Sequence, residues 1–116
     1  MQTKSFKDLI VWQKAFQLTK EIYKFSEHFP KDQLYSLTQQ IRRAGISISS
    51  NIAEGYGRQS SKEYKQFLSI AYSSLCELET QYLLAVDLGF SEKNNYIEQL
   101  MKEVGGMLYR MMNPIR

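Results

Sequence analysis

The sequence contains few of the residues that interrupt helices or build metal sites. Only two prolines and six glycines occur among its 116 residues, so long helices are permitted. The single cysteine, Cys76, excludes an internal disulfide, which fits a reducing compartment. Together with the single histidine, His28, it also excludes the usual zinc-ligand sets. These scarcities favour a helical protein without a conventional metal site.

The chain also lacks a long apolar run. No stretch approaches the roughly 18 residues that a membrane span requires. Residues 1–8 contain neither the apolar core nor the cleavage site of a signal peptide. We therefore expect a cytoplasmic protein without a membrane partner.

What the chain does contain is sufficient for one packed domain covering residues 1–116. Hydrophobic residues make up 43% of the sequence and charged residues of both signs make up 23%. The formal net charge of +3 is mildly basic, which is compatible with a nucleic-acid partner but does not require one.

Four segments show the three-or-four spacing of apolar residues that is typical of a helix burying one face. The predicted helices cover about residues 6–27, 32–54, 61–88 and 92–112. Because the three connections are short, helices that follow one another should be antiparallel neighbours. The predicted fold class is all-α, an up-and-down antiparallel four-helix bundle.

The first predicted helix carries two adjacent apolar rows, which together indicate a wide buried face. The rows are Leu9, Trp12, Phe16, Thr19 and Tyr23, and beside them Val11, Ala15, Leu18, Ile22 and Phe25.

Local signals set the helix ends and leave one alternative open. Residues 45–49 alternate as a strand would, but the helical apolar row continues on both sides, so we predict helix. A glycine at the end of the second helix should form a left-handed cap. Ser60 with Glu63 has the spacing of a capping box, and Ser91 is the expected cap of the fourth helix.

A row of small and polar residues runs beside the core row of the second predicted helix. Either it is a solvated face, or it is a partly buried polar network that sets helix register or forms a subunit contact. If the second and third helices pair about their turn, Gln40 lies level with residues 75–77, and Arg42 or Arg43 can reach Glu77. The candidate residues of this network are Gln40, Ser47, Asn51, Glu54 and Glu77, with Ala44 in the same row.

Basic residues cluster near the predicted start of the third helix. The free N–H groups there, with nearby cations, can hold a backbone phosphate; the alternative is a capped turn with solvated charges. The Walker pattern is absent because no glycine immediately precedes Lys62. The candidate nucleic-acid contacts are Arg42, Arg43, Arg58, Lys62 and Lys65.

The sequence shows no catalytic constellation. A carboxylate di-iron bundle uses Glu-x-x-His, but Phe25 stands three residues before His28. No lysine follows a serine at the Ser-x-x-Lys spacing. We expect no enzyme activity, no cofactor and no small-molecule substrate.

The run Gln-Ile-Arg-Arg-Ala at 40–44, followed by Ser-Ile-Ser-Ser-Asn-Ile-Ala-Glu-Gly-Tyr-Gly-Arg at 47–58, is distinctive. It resembles the four-helix-bundle family of proteins encoded in 23S rRNA intervening sequences. Residues 9–12, 29–30 and 77–81 also match that family. Gly45 departs from it, since a bulkier apolar residue is commoner there, and we expect this glycine to loosen the second helix locally.

The resemblance implies a homo-oligomer, a ring of about five subunits. It also implies a relation to the accessory variability determinants of diversity-generating retroelements, which are basic pentamers that bind nucleic acid and a reverse transcriptase. Five copies of a +3 chain would carry about +15, enough for salt-dependent phosphate binding. The sequence lacks an aromatic platform with interleaved cations, so we expect contacts to the backbone of structured RNA or a ribonucleoprotein. The alternative is a scaffold for a protein such as a reverse transcriptase, without direct nucleic-acid contact.

Overall fold

The computed structural model describes residues 4–114, which contain four long α-helices and no strand. Helix α2 packs on α1 and α3, and α4 packs on α3 and α1, so the four helices close around one core. The predicted antiparallel four-helix bundle is confirmed. The helices are α1 (Ile10–Ser26), α2 (Gln39–Tyr56), α3 (Ser61–Asp87) and α4 (Asn95–Met112).

The core is formed by the apolar stripe of every helix. Leu18 and Ile22 of α1, Ile48 of α2, Leu78 of α3 and Val104 of α4 are all completely buried. Removing each such side chain from water contributes about 1.5–3 kcal/mol. No helix within residues 4–114 is long and apolar enough to cross a membrane.

Helix α1 begins later than the predicted residue 6. Residues Phe6–Asp8 form a separate 3-10 turn, and Leu9 is extended at φ −74° and ψ 126°. The Ser5 side chain accepts the backbone N–H of Lys7, and Gln13 Nε2 donates to the Lys7 carbonyl. Side-chain hydrogen bonds therefore hold this turn apart from the helix that follows.

Helix α2 also begins later than predicted, at Gln39 instead of residue 32. A 3-10 turn at Lys31–Gln33 leads into a π-type turn at Leu34–Thr38, where Ser36 is non-helical at φ −122° and ψ −108°. This break leaves Tyr35 outside while Leu37 enters the core.

The rest of α2 is regular helix through residues 45–49, which excludes the strand alternative. It continues past the predicted residue 54 to Tyr56. The expected left-handed glycine cap is wrong, because Gly57 has φ −78° and Gly55 lies within the helix.

The turn between α3 and α4 corrects another expectation. Gly89, at φ +76°, donates to the Val86 carbonyl, and the N–H of Phe90 donates to the Ala85 carbonyl, which is the Schellman pattern. Asn94, and not Ser91, then caps α4 by accepting the N–H of Ile97 at 2.9 Å. The predicted capping box is present at the start of α3, where Ser60 Oγ accepts the N–H of Glu63 at 3.1 Å.

Candidate functional site

The polar row of α2 meets α3 at its centre. Ser47 Oγ and Ser74 Oγ are 2.8 Å apart, and Asn51 Nδ2 donates to the carbonyl and hydroxyl of Ser47 at 2.8 and 3.1 Å. Ser74 is buried, whereas Gln40 and Glu54 at the ends of the row are exposed. Part of the row therefore lies in the α2–α3 contact and part of it faces solvent.

The register of these two helices differs from the expected one. The 2.8 Å contact between Ser47 and Ser74 sets Gln40 level with about residue 81 instead of residues 75–77, although Gln40 still shares a cleft with Glu77. The shift arises because Gly55, near the end of α2, packs against Tyr64 and Phe67, which lie one to two turns into α3.

The expected pairing of Arg42 with Glu77 is also wrong. Arg42 faces α1, where its Nε donates to Ser26 Oγ at 2.8 Å and its guanidinium lies 4.7 Å from the Tyr23 ring centre. Arg43 lines the same cleft as Glu77, yet residues 4–114 show no ion pair between them. The two arginines diverge because successive helical residues point about 100° apart.

One polar atom in this cleft is unsatisfied. The side-chain oxygen of Gln81 is buried and has no hydrogen-bond partner. The cleft encloses about 340 Å³ and is lined by Gln40, Arg43, Ala44, Ser47, Ser74, Glu77 and Gln81.

The five candidate phosphate contacts divide into two groups. Arg42 and Arg43 lie within α2, whereas Arg58, Lys62 and Lys65 lie just beyond its end and at the start of α3. Arg43 and Arg58 are fifteen residues apart on α2 and just beyond its end, which corresponds to about 22 Å along a helix. Arg58 lies over the Phe67 ring at 4.7 Å, and 3.8 Å from the Glu54 carboxylate. Lys62 and Lys65 are exposed and take part in no ion pair within the described part of the chain. The cations therefore form no single continuous patch.

An apolar groove between α1 and α2 is the surface feature that the sequence pattern did not predict. Most of one α1 row expected to be buried instead lines this groove, with Phe16 46% and Tyr23 42% exposed, whereas Leu9 of that row packs against the core. The groove has a volume of about 430 Å³. Its lining residues are Phe6, Trp12, Phe16, Thr19, Lys20, Tyr23, Ile46, Ser49, Ser50 and Ala53.

A second depression of about 290 Å³ continues from the first and shares Tyr23 and Ile46 with it. It adds Leu34, Tyr35, Thr38, Gln39, Arg42 and Arg43. We call the two together the α1–α2 groove. From Gln39 to Ala53 it follows about 21 Å of helix. Its charged lining residues are Lys20, Arg42 and Arg43, and no carboxylate lines it.

The wall and floor of the α1–α2 groove are already packed. Phe6 meets Trp12 edge-on with ring centres 5.2 Å apart, and Trp12 stacks on Phe16 at 4.9 Å. Below them, Thr19 Oγ1 lies 3.0 Å from the Gly45 carbonyl. A Cβ at Gly45 would be 3.3 Å from the Thr19 side chain. Gly45 therefore permits close approach of α1 and α2, and the expected loosening of α2 is not observed.

A separate polar cluster joins the C-terminal end of α3 to the N-terminal end of α4. Tyr82 Oη donates to Glu98 at 2.7 Å and accepts the N–H of Asn94 at 2.8 Å, while Lys93 Nζ donates to Glu98 at 2.7 Å. The hydrogen bond from Lys93, followed by that from Tyr82, lowers the pKa of Glu98. Burial and the nearby carboxylate raise the pKa of Tyr82. These contacts serve packing between the two helices.

Comparison with known proteins adds a family and a fold relative. A family profile described as 23S rRNA-intervening sequence protein matches residues 7–110. A crystal structure from Bacteroides thetaiotaomicron VPI-5482, described as a protein with unknown function from the S23 ribosomal protein family, superposes with a TM-score of 0.79. It is 25% identical, and the alignment covers 90% of this chain and 99% of that one. No curated protein matches the chain.

Proposed function

This chain belongs to the 23S rRNA-intervening sequence protein family, and from the geometry of its surface we propose that it is a non-enzymatic protein that works as a homo-oligomer. The observation that carries the proposal is the α1–α2 groove. Trp12, Tyr23 and Arg42 contribute to it, and tryptophan, tyrosine and arginine are the residues enriched in the energetic centres of protein interfaces.

The shape of the α1–α2 groove also favours a macromolecular partner. It is a long open channel along two helices, unlike the enclosed cavities that bury most of a small ligand. Its exposed side chains include Phe16, Tyr23, Leu34 and Ile46, each 42–48% exposed. Contiguous exposed apolar surface rimmed by polar residues is typical of a protein-interaction site.

The proposal is tested by placing a charge in the α1–α2 groove. Ile46→Glu should reduce the mass found by size-exclusion chromatography with light scattering from a multiple of 13.6 kDa to that of the single chain. Tyr109→Glu is the matched control, because Tyr109 is 56% exposed but lies on α4. If Ile46→Glu keeps the wild-type mass, the groove is not part of the interface.

We propose as a second candidate that the oligomer binds the phosphate backbone of structured RNA through the α2–α3 turn, meaning residues 57–65, the connection and the start of α3. The exposed side chains of Lys62 and Lys65, which form no ion pair within residues 4–114, support it. Arg58 is less available because it contacts Glu54. Assembly would repeat these cations in every subunit and strengthen binding that is weak for one chain.

The RNA candidate is tested with an rRNA hairpin and the double variant Lys62→Glu/Lys65→Glu. Wild-type affinity should fall steeply with salt, and the variant should bind at least about tenfold more weakly with a shallower salt dependence. Lys102→Glu/Arg110→Glu, two exposed changes on α4, alter the net charge by the same amount and control for it. Equal affinity of wild type and double variant, measured by fluorescence anisotropy, would exclude this turn as the contact.

A further inference from the structure

Beyond Lys65 and up to residue 92, helix α3 and the turn that follows it carry carboxylates and no cation. Residues 66–92 contain four carboxylates, Glu77, Glu79, Asp87 and Glu92, and no lysine or arginine. All four carboxylates are exposed. This segment is therefore the acidic part of a chain whose formal net charge is +3.

Exposed apolar side chains share that surface with the carboxylates. Ile70, Leu84 and Leu88 are 48%, 48% and 55% exposed. They belong to a row with steps of three and four residues, which places its members on one side of the helix. This α3 outer row consists of Ile70, Ser73, Glu77, Thr80, Leu84 and Leu88.

The α3 outer row and the α1–α2 groove are of similar length. The row extends over about 27 Å of helix and the groove over about 21 Å. Ser73 and Thr80 are short side chains in the middle of the row, so the helix can approach a neighbouring surface closely there. Leu84 and Leu88 are the projecting apolar residues at one end, as a groove with apolar walls requires.

The two surfaces are also opposite in charge. Lys20, Arg42 and Arg43 line the groove without any carboxylate, whereas α3 presents the exposed Asp87 beside its outer row and the exposed Glu77, which also borders the α2–α3 cleft, within it. We propose that the α3 outer row of one copy docks in the α1–α2 groove of a second copy. This inference rests on the proposed function, homo-oligomerisation through the groove, and names the surface that fills it.

Pairing of two identical grooves is unfavourable by comparison. It would bring two sets of Lys20, Arg42 and Arg43 together, and like charges that face each other across an interface oppose association. The proposed contact joins two different surfaces, so each copy can bind one neighbour on each side. Such a contact generates a closed ring or a filament.

The apolar part of the contact is tested with two adjacent leucines of similar exposure. Leu84 belongs to the α3 outer row, whereas Leu83 is turned about 100° away and lines the cleft between α3 and α4. Leu84→Lys should yield mostly single chains at concentrations where the wild type is assembled, and Leu83→Lys should keep the wild-type mass. Equal behaviour of the two variants would overturn the inference.

The electrostatic part is tested by exchanging charges between the two surfaces. Lys20→Glu/Arg43→Glu and Glu77→Lys/Asp87→Lys should each lower the assembled fraction at least about tenfold. A chain carrying all four changes should recover the wild-type mass, because opposite charges again face each other. Lys102→Glu/Arg110→Glu on α4 changes the net charge as the groove variant does and should have no effect.

The outcomes separate this inference from the proposed function. A wild-type chain that remains single at all concentrations contradicts both. An oligomer that Ile46→Glu disrupts, but that Leu84→Lys and the α3 charge reversal leave intact, keeps the groove as an interface and overturns its pairing with α3. Failure of the four-change chain to reassemble, although it folds with wild-type helix content, also overturns the pairing.

Discussion

At the scale of single residues, small side chains set how closely the helices approach. A Cβ added at Gly55 would lie 2.8 Å from Phe67 Cβ and 3.0 Å from the Tyr64 ring. Neither contact is with the far end of a flexible side chain, so α2 and α3 would have to separate. Gly55, the first of the two glycines in the sequence run 47–58, is therefore explained by packing between helices, and not by a left-handed turn.

Gly55→Ala should consequently lower the free energy of unfolding by about 1–3 kcal/mol, the usual cost of overpacking a close contact. Gly57→Ala is the comparison, because its added Cβ meets only the Glu54 carbonyl at 3.6 Å and its φ is −78°. That change should be neutral or stabilising by about 0.4–1 kcal/mol. Urea unfolding of both variants measures the difference, and equal stabilities would contradict the packing explanation.

Glu98 gives the fold an acid-sensitive residue. Hydrogen bonds from Lys93 and Tyr82 lower the pKa of Glu98 in the folded protein. Its contribution to stability is therefore complete above the ordinary glutamate pKa of about 4.3 and is lost as the pH falls through the lower folded-state pKa. In thermal melts, Glu98→Gln should reduce the loss of Tm below about pH 4.3. An unchanged pH dependence would show that Glu98 is not the group responsible.

At the scale of secondary structure elements, all four helices were predictable, but only α3 begins where the sequence predicts, at Ser61. Apolar periodicity located all four helices, because a helix that buries one face has apolar residues at every third or fourth position. The beginning of α4 depends on a tertiary contact instead. Helix α4 starts at Asn95 because Asn94 is held by Tyr82 from α3, a contact between residues twelve positions apart that local sequence rules do not contain.

The cap of α4 supplies a test at this scale. Asn94→Ala removes the acceptor of the Ile97 N–H and should lower the free energy of unfolding by about 0.5–2 kcal/mol. Ser91→Ala should change it by less than about 0.5 kcal/mol, as is usual for a substitution away from helix caps, the core and buried hydrogen bonds. Chemical denaturation of the two variants distinguishes the caps. A larger effect of Ser91→Ala would indicate that Ser91 caps α4, as the sequence predicts.

The candidate site was less predictable than the fold, and α1 shows why. Both of its apolar rows satisfy the helical period, so the pattern assigns both to the core. The structure buries the row of Leu18 and Ile22 and leaves Phe16 and Tyr23 in the α1–α2 groove. Periodicity reports that a face is covered, but it does not report whether a helix of the same chain or of another chain covers it.

At the scale of the whole molecule, the bundle has two surfaces that differ in charge and share apolar character. The α1–α2 groove is apolar with a basic lining, and the outer surface of α3 is apolar and acidic. A monomer would leave both in water, whereas a head-to-tail oligomer would cover each with the other. Assembly is therefore the central claim, and the RNA candidate depends on it, since repetition of the cations of the α2–α3 turn provides the avidity.

The molecular mass of the wild-type chain in solution tests this claim most directly. Light scattering coupled to size-exclusion chromatography at low and high protein concentration reports it without labels or variants. We expect a mass that is a whole multiple of 13.6 kDa and that decreases on dilution or at high salt, because part of the proposed contact is electrostatic. A mass of 13.6 kDa at every concentration would contradict the account.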